Sequence, residues 1–361
     1  MNRLILIVII SVFWIFSPKL EAQNFVKFDT VNWVLDKDTR IESFMDREVL
    51  IGTAYLKDIN IENGTIEVDV YSTGVRNFGG FMFHIQSFEN YEWCWLRMHK
   101  TNGFVEDAVQ YAPTYNGTSC WQLYGGSNGI APVYLPKNEW VRLKLDIYAD
   151  TARLFVADMR TPVLIMDKLQ IDMQGGGIGL KGLWHDGLYF SNFFYKKGNS
   201  LNNHQQLIDE NIIDHWRLSA KYKIDKFSET QNYPDSILHA SNKWITPIVN
   251  PDGLVNISRY YEHKPGKTKS CAILKTKLVS TQNKKVCLQF GYSDAVTIFL
   301  NGQPLYTGNS AYRSRNMAYG GWISYNDKIY LDLKNGDNEL LVVIAEEFGG
   351  WGFQAKLEGS Y

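Results

Sequence analysis

The segment 93–99 of this chain reads Trp-Cys-Trp-Leu-Arg-Met-His, so aromatic or polar residues alternate with apolar ones. Successive side chains of a β-strand point to opposite faces, which brings alternate residues together. One face of this predicted strand carries Trp93, Trp95, Arg97 and His99. Indole rings stack on pyranose rings, while sugar hydroxyls need hydrogen-bond partners. The pattern favours a carbohydrate-binding surface over a strand face that is simply covered by a loop.

Polar side chains of neighbouring strands would enlarge this surface. Glu67 and Asp69 alternate with apolar residues on an earlier predicted strand, and His84 and Gln86 lie near the end of another. Sequential strands usually pair, so these side chains are predicted to join the two tryptophans on one sheet face. Trp121, on a later predicted strand, adds a further indole. We expect a cleft floor of carboxylates, imidazoles, indoles and a guanidinium group.

A second candidate binding segment lies in the C-terminal half. Residues 312–322 combine Arg313 and Arg315 with aromatic residues that include Trp322, and Trp351 lies close to the chain end. These side chains either bind a ligand or have structural roles. In the structural interpretation the tryptophan at 351 fills the core, and the arginines pair with the glutamates that precede it. Both interpretations stay open at this point.

Charge and composition exclude one class of partner. The 361 residues contain 37 Lys and Arg against 38 Asp and Glu, which gives a formal net charge of -1. Binding of nucleic acid requires a basic surface for the phosphates, and this balance predicts none. The 11 Trp and 21 Tyr often fall in polar, turn-rich stretches, a distribution typical of exposed stacking surfaces.

The N-terminal residues 1–22 are predicted to be a secretory signal peptide. A short basic segment precedes the apolar run 4–16, and a polar segment follows that ends at Ala22. The run is too short for a membrane span of ~20 residues, and no other apolar run approaches that length. No cysteine follows the cleavage position, which argues against a lipid anchor. We therefore expect a secreted or periplasmic protein without a membrane span.

The four cysteines are candidates for disulfide bonds, since an exported chain can oxidise them. Their spacing allows Cys94 with Cys120 and Cys271 with Cys287, although buried free thiols fit the sequence as well. No CxxC motif or histidine cluster indicates a metal site.

The hydrophobic pattern predicts an all-β fold, because short alternating runs are separated by turn residues and no helical periodicity is sustained. The clearest predicted strands of the first half are 64–71, 80–86, 92–99, 119–124, 140–148, 152–157, 177–180 and 189–195. Later ones include a hairpin over 296–306 with its turn at Asn301 and Gly302. We expect two β-sandwich domains in tandem, at residues 23–196 and 212–361, joined by a polar linker at 197–211.

The first predicted domain resembles concanavalin A-like lectin and glucanase domains of the laminin-G-like type. The resemblance lies in a glycine-rich strand followed by Tyr-Phe-Ser-Asn-Phe and in several earlier segments, at 64–70, 95–99, 107–111, 116–117, 121–124, 177–180 and 189–193. The second predicted domain resembles the galactose-binding-like jelly roll found beside catalytic domains of glycosidases. There the similar segments are 291–302, 336–340 and 346–353.

The resemblance implies jelly-roll sandwiches that serve as binding modules more often than as enzymes. Laminarinase-type relatives carry Glu-x-Asp-x-x-Glu on one strand, whereas here Glu67 and Asp69 are followed by Ser72, so the third carboxylate is absent. We predict a non-catalytic protein that binds an oligo- or polysaccharide. The alternatives are a glycan-active enzyme with two opposed carboxylates and an adhesive protein-binding module with a flat apolar patch.

Two further expectations follow from the predicted lectin role. A lectin requires Trp93 and Trp95 to be exposed to solvent without a carboxylate pair across from them. The laminin-G-like resemblance leaves room for a calcium ion, but no loop has the density of acidic residues that such a site needs. No cofactor is predicted.

Overall fold

The computed structural model describes residues 23–100, 105–126, 129–171, 175–183, 186–198, 209–234, 238, 243–264, 266, 268–315 and 321–358. The predicted signal peptide and most of the predicted linker lie outside these residues. β-Strands dominate the described residues, as predicted, and short 3₁₀ helices occur at Trp121–Leu123, Phe227–Gln231 and Ile257–Arg259. Within the described residues, no helix has both the length and the apolar character needed to cross a membrane.

The N-terminal half forms a jelly-roll sandwich of two antiparallel sheets. Its strands are β1 (Asn24–Val26), β2 (Trp33–Leu35), β3 (Arg40–Phe44), β4 (Arg47–Ile51), β5 (Thr53–Leu56), β6 (Gly64–Ser72), β7 (Phe78–Ser87), β8 (Asn90–Arg97), β9 (Val109–Tyr115), β10 (Thr118–Ser119), β11 (Ile130–Ala131), β12 (Trp140–Tyr148), β13 (Thr151–Val156), β14 (Leu164–Met166), β15 (Gly177–Gly182) and β16 (Leu188–Lys197).

Two sheets, here named sheet A and sheet B, enclose the core of this first sandwich. Sheet A has the strand order β14-β13-β12-β6-β16-β4-β3, with β1 also paired to β16. Sheet B has the order β10-β9-β8-β7-β15-β5-β2, with β11 also paired to β9. Alternating apolar residues of both sheets meet between them, for example Val68 from β6 and Leu96 from β8. The residues between them in sequence therefore lie on the outer faces.

The C-terminal half forms a second sandwich. Its strands are β17 (Arg217–Leu218), β18 (Tyr222–Ile224), β19 (Val255–Asn256), β20 (Lys269–Ser280), β21 (Lys284–Ser293), β22 (Ala295–Leu300), β23 (Gln303–Asn309), β24 (Asp327–Leu333), β25 (Gly336–Glu346) and β26 (Gly352–Glu358).

Sheet C and sheet D are the two sheets of this second sandwich. Sheet C has the order β17-β20-β25-β22-β23, with β18 also paired to β20, and sheet D has the order β19-β26-β21-β24. Trp351 is completely buried between them, together with Trp216 and Phe353. The structural interpretation of Trp351 is thus confirmed. The predicted hairpin turn is present as well, because Asn301 and Gly302 have φ angles of 50° and 79°.

Most of the predicted strands of the first half are present, but one is wrong. In the segment 119–124 the chain leaves sheet B after Ser119 and enters the 3₁₀ helix Trp121–Leu123. Alternation of large and polar residues over so few positions does not distinguish a strand from a helical turn. Several strands, β9, β20 and β21 among them, were not predicted. Most of their residues are buried on both faces of the sheet, so polar and apolar residues do not alternate regularly along them.

The candidate disulfide bonds are absent, and all four cysteines are free and buried. Cys94 points into the core between sheets A and B, whereas Cys120 packs at the boundary between the two sandwiches. Cys271 packs on the outer side of sheet C, and Cys287 belongs to sheet D. Each predicted pair is therefore split between different layers of the molecule. Burial raises the pKa of the Cys120 thiol to about 12, which makes it unreactive.

Candidate functional site

A cleft of about 680 Å³ lies between the two sandwiches. One wall is the outer face of sheet B, and the opposite wall consists of loops from the second sandwich. The first wall includes the aromatic and basic side chains of Phe78, Trp93, Trp95, Arg97, His99 and Lys181. The residues of the opposite wall are His263, Tyr312, Arg313, Trp322, Glu346 and Phe348. Trp121 and Gly349 line the cleft where the two walls meet.

A stacked pair of indoles forms the centre of the first wall. The ring centroids of Trp93 and Trp95 are 4.2 Å apart, and the ring planes are inclined by 23°. The residues are two positions apart on β8, so both side chains leave sheet B on its outer face, away from Cys94 and Leu96 in the core. They are 3% and 2% exposed, which differs from the solvent-exposed indoles expected of a lectin. Side chains of the first sandwich, among them Phe78, Trp121 and Tyr124, pack around them.

Arg97 is held rigidly beside the indoles. Its guanidinium group donates to the backbone oxygen of Asp107 at 2.5 Å and to the side chain of Gln110, and it lies 3.5 Å from the Asp107 carboxylate. Its carbon Cζ is 5.8 Å from the centre of the Trp95 ring. Burial lowers the pKa of Arg97, and the Asp107 carboxylate opposes that shift. The side chain is a fixed positive charge on the cleft wall.

His99 lies just beyond the end of β8, at the end of this wall. Its ring contacts Phe78 edge to face, at 5.6 Å between centroids, and Nδ1 has no hydrogen-bond partner among the described residues. Partial burial lowers the pKa of His99, and the positive charges of Lys100, Arg76 and Arg97 lower it further. The lowered pKa favours the neutral imidazole near pH 7, and its buried Nδ1 is left without a partner in the described part of the chain.

Lys181 on β15 extends the charged part of the first wall. Its ammonium group lies 4.8 Å from the centre of the Trp93 ring and 4.9 Å from that of Tyr91, whose hydroxyl it contacts. Such positions over aromatic faces are cation–π interactions. Sequence reasoning did not identify this lysine, since no motif distinguishes it from other surface lysines.

Hydrogen bonds through the 3₁₀ helix Trp121–Leu123 join the second sandwich to the first. The Gln122 amide donates to the Gly349 carbonyl at 3.0 Å, and the Gln122 side chain donates to the Gly321 carbonyl at 3.1 Å. The Ile323 amide in turn donates to the Gln122 carbonyl at 2.8 Å. The ring of Trp121 packs edge-on against Tyr312 and Phe348. This connection fixes the width of the cleft.

Glycines allow the two sandwiches to approach this closely. A Cβ atom at Gly350 would lie 2.7 Å from Cα of Cys120, and one at Gly125 would lie 2.0 Å from Cγ of Trp322. Gly350 and its neighbour Gly349 also have φ angles of 94° and 95°, which favour glycine. The Trp322 ring therefore packs directly on the backbone of the first sandwich at Gly125. On the same wall, the Arg313 guanidinium lies 4.8 Å from the centre of the Tyr312 ring.

Glu346 is the buried acid of the second wall. Its Oε1 atom accepts a hydrogen bond from the Gly350 amide at 3.0 Å, whereas Oε2 has no partner among the described residues. Burial and the negative charge of Asp294 raise the pKa of Glu346 well above its usual range. Asp294 is the group that ionises first, because it accepts hydrogen bonds from the amides of Glu347 and Phe348. The neutral form of Glu346 is therefore favoured over the ionised one.

The predicted contribution of Glu67 and Asp69 to this surface is wrong. Both lie on β6 in the middle of sheet A, and β6 pairs with β12 and β16 and not with β7. Arg142 donates to Glu67 at 3.0 Å and to Asp69 at 2.8 Å, and Arg47 donates to Asp69 at 3.0 Å. The strands that follow each other in sequence here belong to opposite sheets, so sequential pairing misplaced the two carboxylates.

His84 and Gln86 are also displaced from the predicted surface. His84 has a φ angle of 45° and lies in an irregular part of β7, where the pairing with β8 shifts between Phe83 and Ser87. Its side chain is completely buried, and its Nε2 lies 3.5 Å from the Glu62 carbonyl. Gln86 is exposed and donates to the Gly175 carbonyl at 2.8 Å. A bulge of this kind reverses the facing of side chains, which strict alternation cannot anticipate.

Arg315 and Trp351, candidates from the C-terminal half, do not line the cleft. Arg315 donates to the Asp327 carboxylate at 2.9 Å and to the hydroxyl of Tyr306 at 3.2 Å, and it contacts Tyr292 as well. The structural interpretation, in which the arginines pair with the glutamates before Trp351, does not hold for Arg315, because its ion pair is with Asp327 of β24.

Three tryptophans of the lining, Trp93, Trp95 and Trp322, have buried indole N–H groups without a hydrogen-bond acceptor among the described residues. A buried donor without a partner costs about 1–3 kcal/mol. The site thus concentrates aromatic area and unused donors. No group of three or more His, Cys, Asp or Glu residues is placed to hold a metal ion in the described part of the chain.

Neither a protein-family model nor a curated protein matches the sequence. Solved structures with a similar backbone include the carbohydrate-binding module CBM66 from Bacillus subtilis, at 16% identity and a TM-score of 0.36, over 46% of this chain and 96% of that one. A β-glucanase from Bacillus licheniformis has 11% identity and a TM-score of 0.36, over 50% and 98%. The galectin LEC-6 from Caenorhabditis elegans has 9% identity and a TM-score of 0.30, over 45% and 99%. Similarity this remote does not indicate what this chain binds.

Proposed function

We propose that this protein binds a carbohydrate in the cleft between its two sandwiches. The observation that carries the proposal is the stacked pair Trp93 and Trp95, set into a cleft of about 680 Å³ that also contains Trp121 and Trp322. Aromatic walls with a few fixed polar groups suit a sugar, whose faces are apolar and whose edges carry hydroxyls. The volume is within the range of about 300–1,000 Å³ that is usual for small-molecule sites.

Both sandwiches contribute to the proposed site. The indole pair and Arg97 come from sheet B, while Trp322 and Arg313 come from a loop of the second sandwich. A lectin site on the first sandwich alone would leave the second wall without a role. The shape is that of a groove between two bodies, which supports a glycan over the broad flat patch expected of a protein-binding module.

The disposition of the carboxylates supports binding without hydrolysis. Retaining and inverting glycosidases need two carboxyl groups on either side of the scissile bond. Of the acidic residues that line the cleft, Asp107 is bonded to Lys100 at 2.6 Å, and Glu346 is completely buried. Glu106 is exposed at the rim. An aspartate held by a lysine and a glutamate without solvent exposure favour binding over hydrolysis.

Export is part of the proposal, on the strength of the predicted signal peptide. An extracellular or periplasmic location would give the protein access to polysaccharides. Mass spectrometry of the protein recovered from the culture medium or periplasm should find a mature N-terminus at Gln23. Recovery of the intact chain in the cytoplasm would contradict this part of the proposal.

A glycan array probed with the full chain, followed by titration of intrinsic tryptophan fluorescence, tests the proposed function. Trp95→Leu removes a ring from the first wall, and Trp322→Leu removes one from the second. Leucine fills part of the vacated volume, so both variants should fold, which circular dichroism checks. We expect each variant to lose at least tenfold in affinity. Affinity that falls only in Trp95→Leu would restrict the site to the first sandwich, and absence of binding to any glycan would refute the proposal.

A further inference from the structure

We propose that the carbohydrate bound in this cleft is anionic, a glycan that carries carboxylate or sulfate groups. This inference rests on the proposed function and specifies the class of ligand. It comes from the distribution of charge around the cleft, which differs from that of the whole chain. The chain as a whole is nearly neutral, at a formal net charge of -1.

The described lining of the cleft is rich in cations. Five basic side chains and three acidic ones line it. The basic residues are Arg76, Arg97, Lys100, Lys181 and Arg313, and the acidic ones are Glu106, Asp107 and Glu346. Of the acidic side chains, Glu346 is completely buried, and burial together with the Asp294 charge raises its pKa well above the usual range. Asp107 forms ion pairs with two of these cations, Lys100 and Arg97.

Two cations on opposite walls have no carboxylate partner among the described residues. Lys181 lies over aromatic rings of sheet B, and Arg313 lies against Tyr312 on the second sandwich. The lysine is half-buried and the arginine exposed, so both can reach a ligand. In sheet A, by contrast, the outward-facing Arg142 and Arg47 are bonded to the carboxylates of Glu67 and Asp69. Unpaired cations in a cleft walled by aromatic rings attract anions more strongly than those on an open surface.

The pKa of His99 is affected by the same cluster of cations. Beyond its burial, the groups that lower its pKa are the three cations Lys100, Arg76 and Arg97. A ligand carboxylate or sulfate that approaches these groups would find donors on both walls. Arginine recognises planar oxyanions through paired hydrogen bonds, and lysine contributes a point charge.

Titration of the full chain with three probes at low ionic strength tests the inference. The probes are an oligogalacturonate, a chondroitin sulfate oligosaccharide and cellohexaose, which separate carboxylate, sulfate and neutral sugars. We expect at least one anionic probe to bind about tenfold more tightly than cellohexaose and to weaken as salt is added. Equal or tighter binding of cellohexaose would overturn the inference and leave the proposed function intact. Failure of all three probes, together with an empty glycan array, would overturn both.

Charge variants make the test specific to the cleft. Lys181→Gln and Arg313→Gln should each weaken the anionic probe by about five- to tenfold, since a hydrogen bond to a charged group is lost. Lys181→Arg, which keeps the charge, should retain most of the affinity. Lys277→Gln is the matched control, because Lys277 is exposed and pairs with Asp337 on sheet C. An equal loss in the control would show a nonspecific charge effect and would overturn the assignment to the cleft.

Discussion

The outer faces of sheet A and sheet B carry similar residue types but have different surroundings. On sheet A, Glu67 and Asp69 are paired with Arg142 and Arg47, so the charges of that face neutralise one another. On sheet B, Trp95 and Lys181 line a cleft that is closed by the second sandwich. Residue type alone therefore does not indicate a binding face. A binding face is better indicated by charges that lack partners and by a second wall that covers it.

Substitution of aromatic residues is therefore expected to affect glycan binding on the outer face of sheet B but not on that of sheet A. Trp93→Leu combined with Trp95→Leu should abolish glycan binding, because it removes the stacked indole pair around which the sheet B wall of the cleft is built. Trp140→Leu on sheet A is the control, where the ring lies beneath the Arg47 guanidinium at 4.5 Å. Titration by calorimetry should show unchanged affinity for the control. Loss of binding in Trp140→Leu, with the double variant still active, would reverse the assignment of the two faces.

A pair of glycine variants tests whether coverage by the second sandwich matters. Gly350 and Gly336 both have a φ of 94°, so alanine imposes the same backbone penalty, about 1–2 kcal/mol, at either position. A Cβ at Gly350 meets Cα of Cys120 at 2.7 Å, whereas one at Gly336 meets nothing within 4 Å. Gly350→Ala should therefore shift the 346–351 loop and reduce glycan affinity more than tenfold.

Gly336→Ala should lose only stability, which thermal unfolding measures beside the affinity. Equal affinities in the two glycine variants would mean that the close contact of the sandwiches does not shape the site. In that case sheet B would still be the binding face, but the second sandwich would not contribute to the binding site.

A third prediction concerns Glu92, which lies on β8 of sheet B. It is completely buried, and it accepts hydrogen bonds from the Tyr111 hydroxyl at 2.8 Å and from the amides of Gln170 and Ile171 at 2.5 and 2.6 Å. Burial raises its pKa to about 7 in spite of these donors. The carboxylates of sheet A, in contrast, have arginine partners in direct contact.

The raised pKa of Glu92 makes stability depend on pH. Between about pH 4.5 and 7 the folded chain holds this proton and the unfolded chain does not, so the free energy of unfolding falls as pH rises. Up to about 3 kcal/mol is lost over this window, at 1.36 kcal/mol per pKa unit. Glu92→Gln keeps an acceptor for both amides and can donate to the tyrosine hydroxyl. Urea unfolding at pH 5 and 8 should show a difference about 3 kcal/mol smaller in the variant, and an unchanged difference would contradict the prediction.

Sequence reasoning predicted the all-β fold and most strands of the first sandwich, because alternation on β6 and β8 is set by one apolar core. It also placed Trp93, Trp95, Arg97 and His99 on one face, and they line the cleft together. Whether they bind a ligand stays a prediction. Sequence reasoning misplaced Glu67 and Asp69, because β6 pairs with β12 and β16, which are distant in sequence, and the local residue pattern does not encode such pairing.

The second wall of the cleft was only partly accessible from the sequence. The segment around Arg313 and Trp322 was identified by its arginines and aromatic rings, but nothing in the sequence indicated that it faces sheet B. That contact depends on glycines at 125 and 350, whose role is to let two backbones approach. Close approach of distant segments is a tertiary property, and a single sequence shows only the glycines.

The smallest expected effect belongs to the carboxylates of sheet A. Glu67→Gln combined with Asp69→Asn removes their ion pairs with Arg142, which are partly exposed, so the loss of stability should be about 1 kcal/mol. Glycan affinity should change by less than twofold, because neither side chain lines the cleft. Fluorescence titration and urea unfolding of the same preparation measure both quantities. A large loss of affinity would mean that the glycan lies on sheet A, on the face whose charges are already paired. Neither unpaired charge nor a second wall would then identify the binding face.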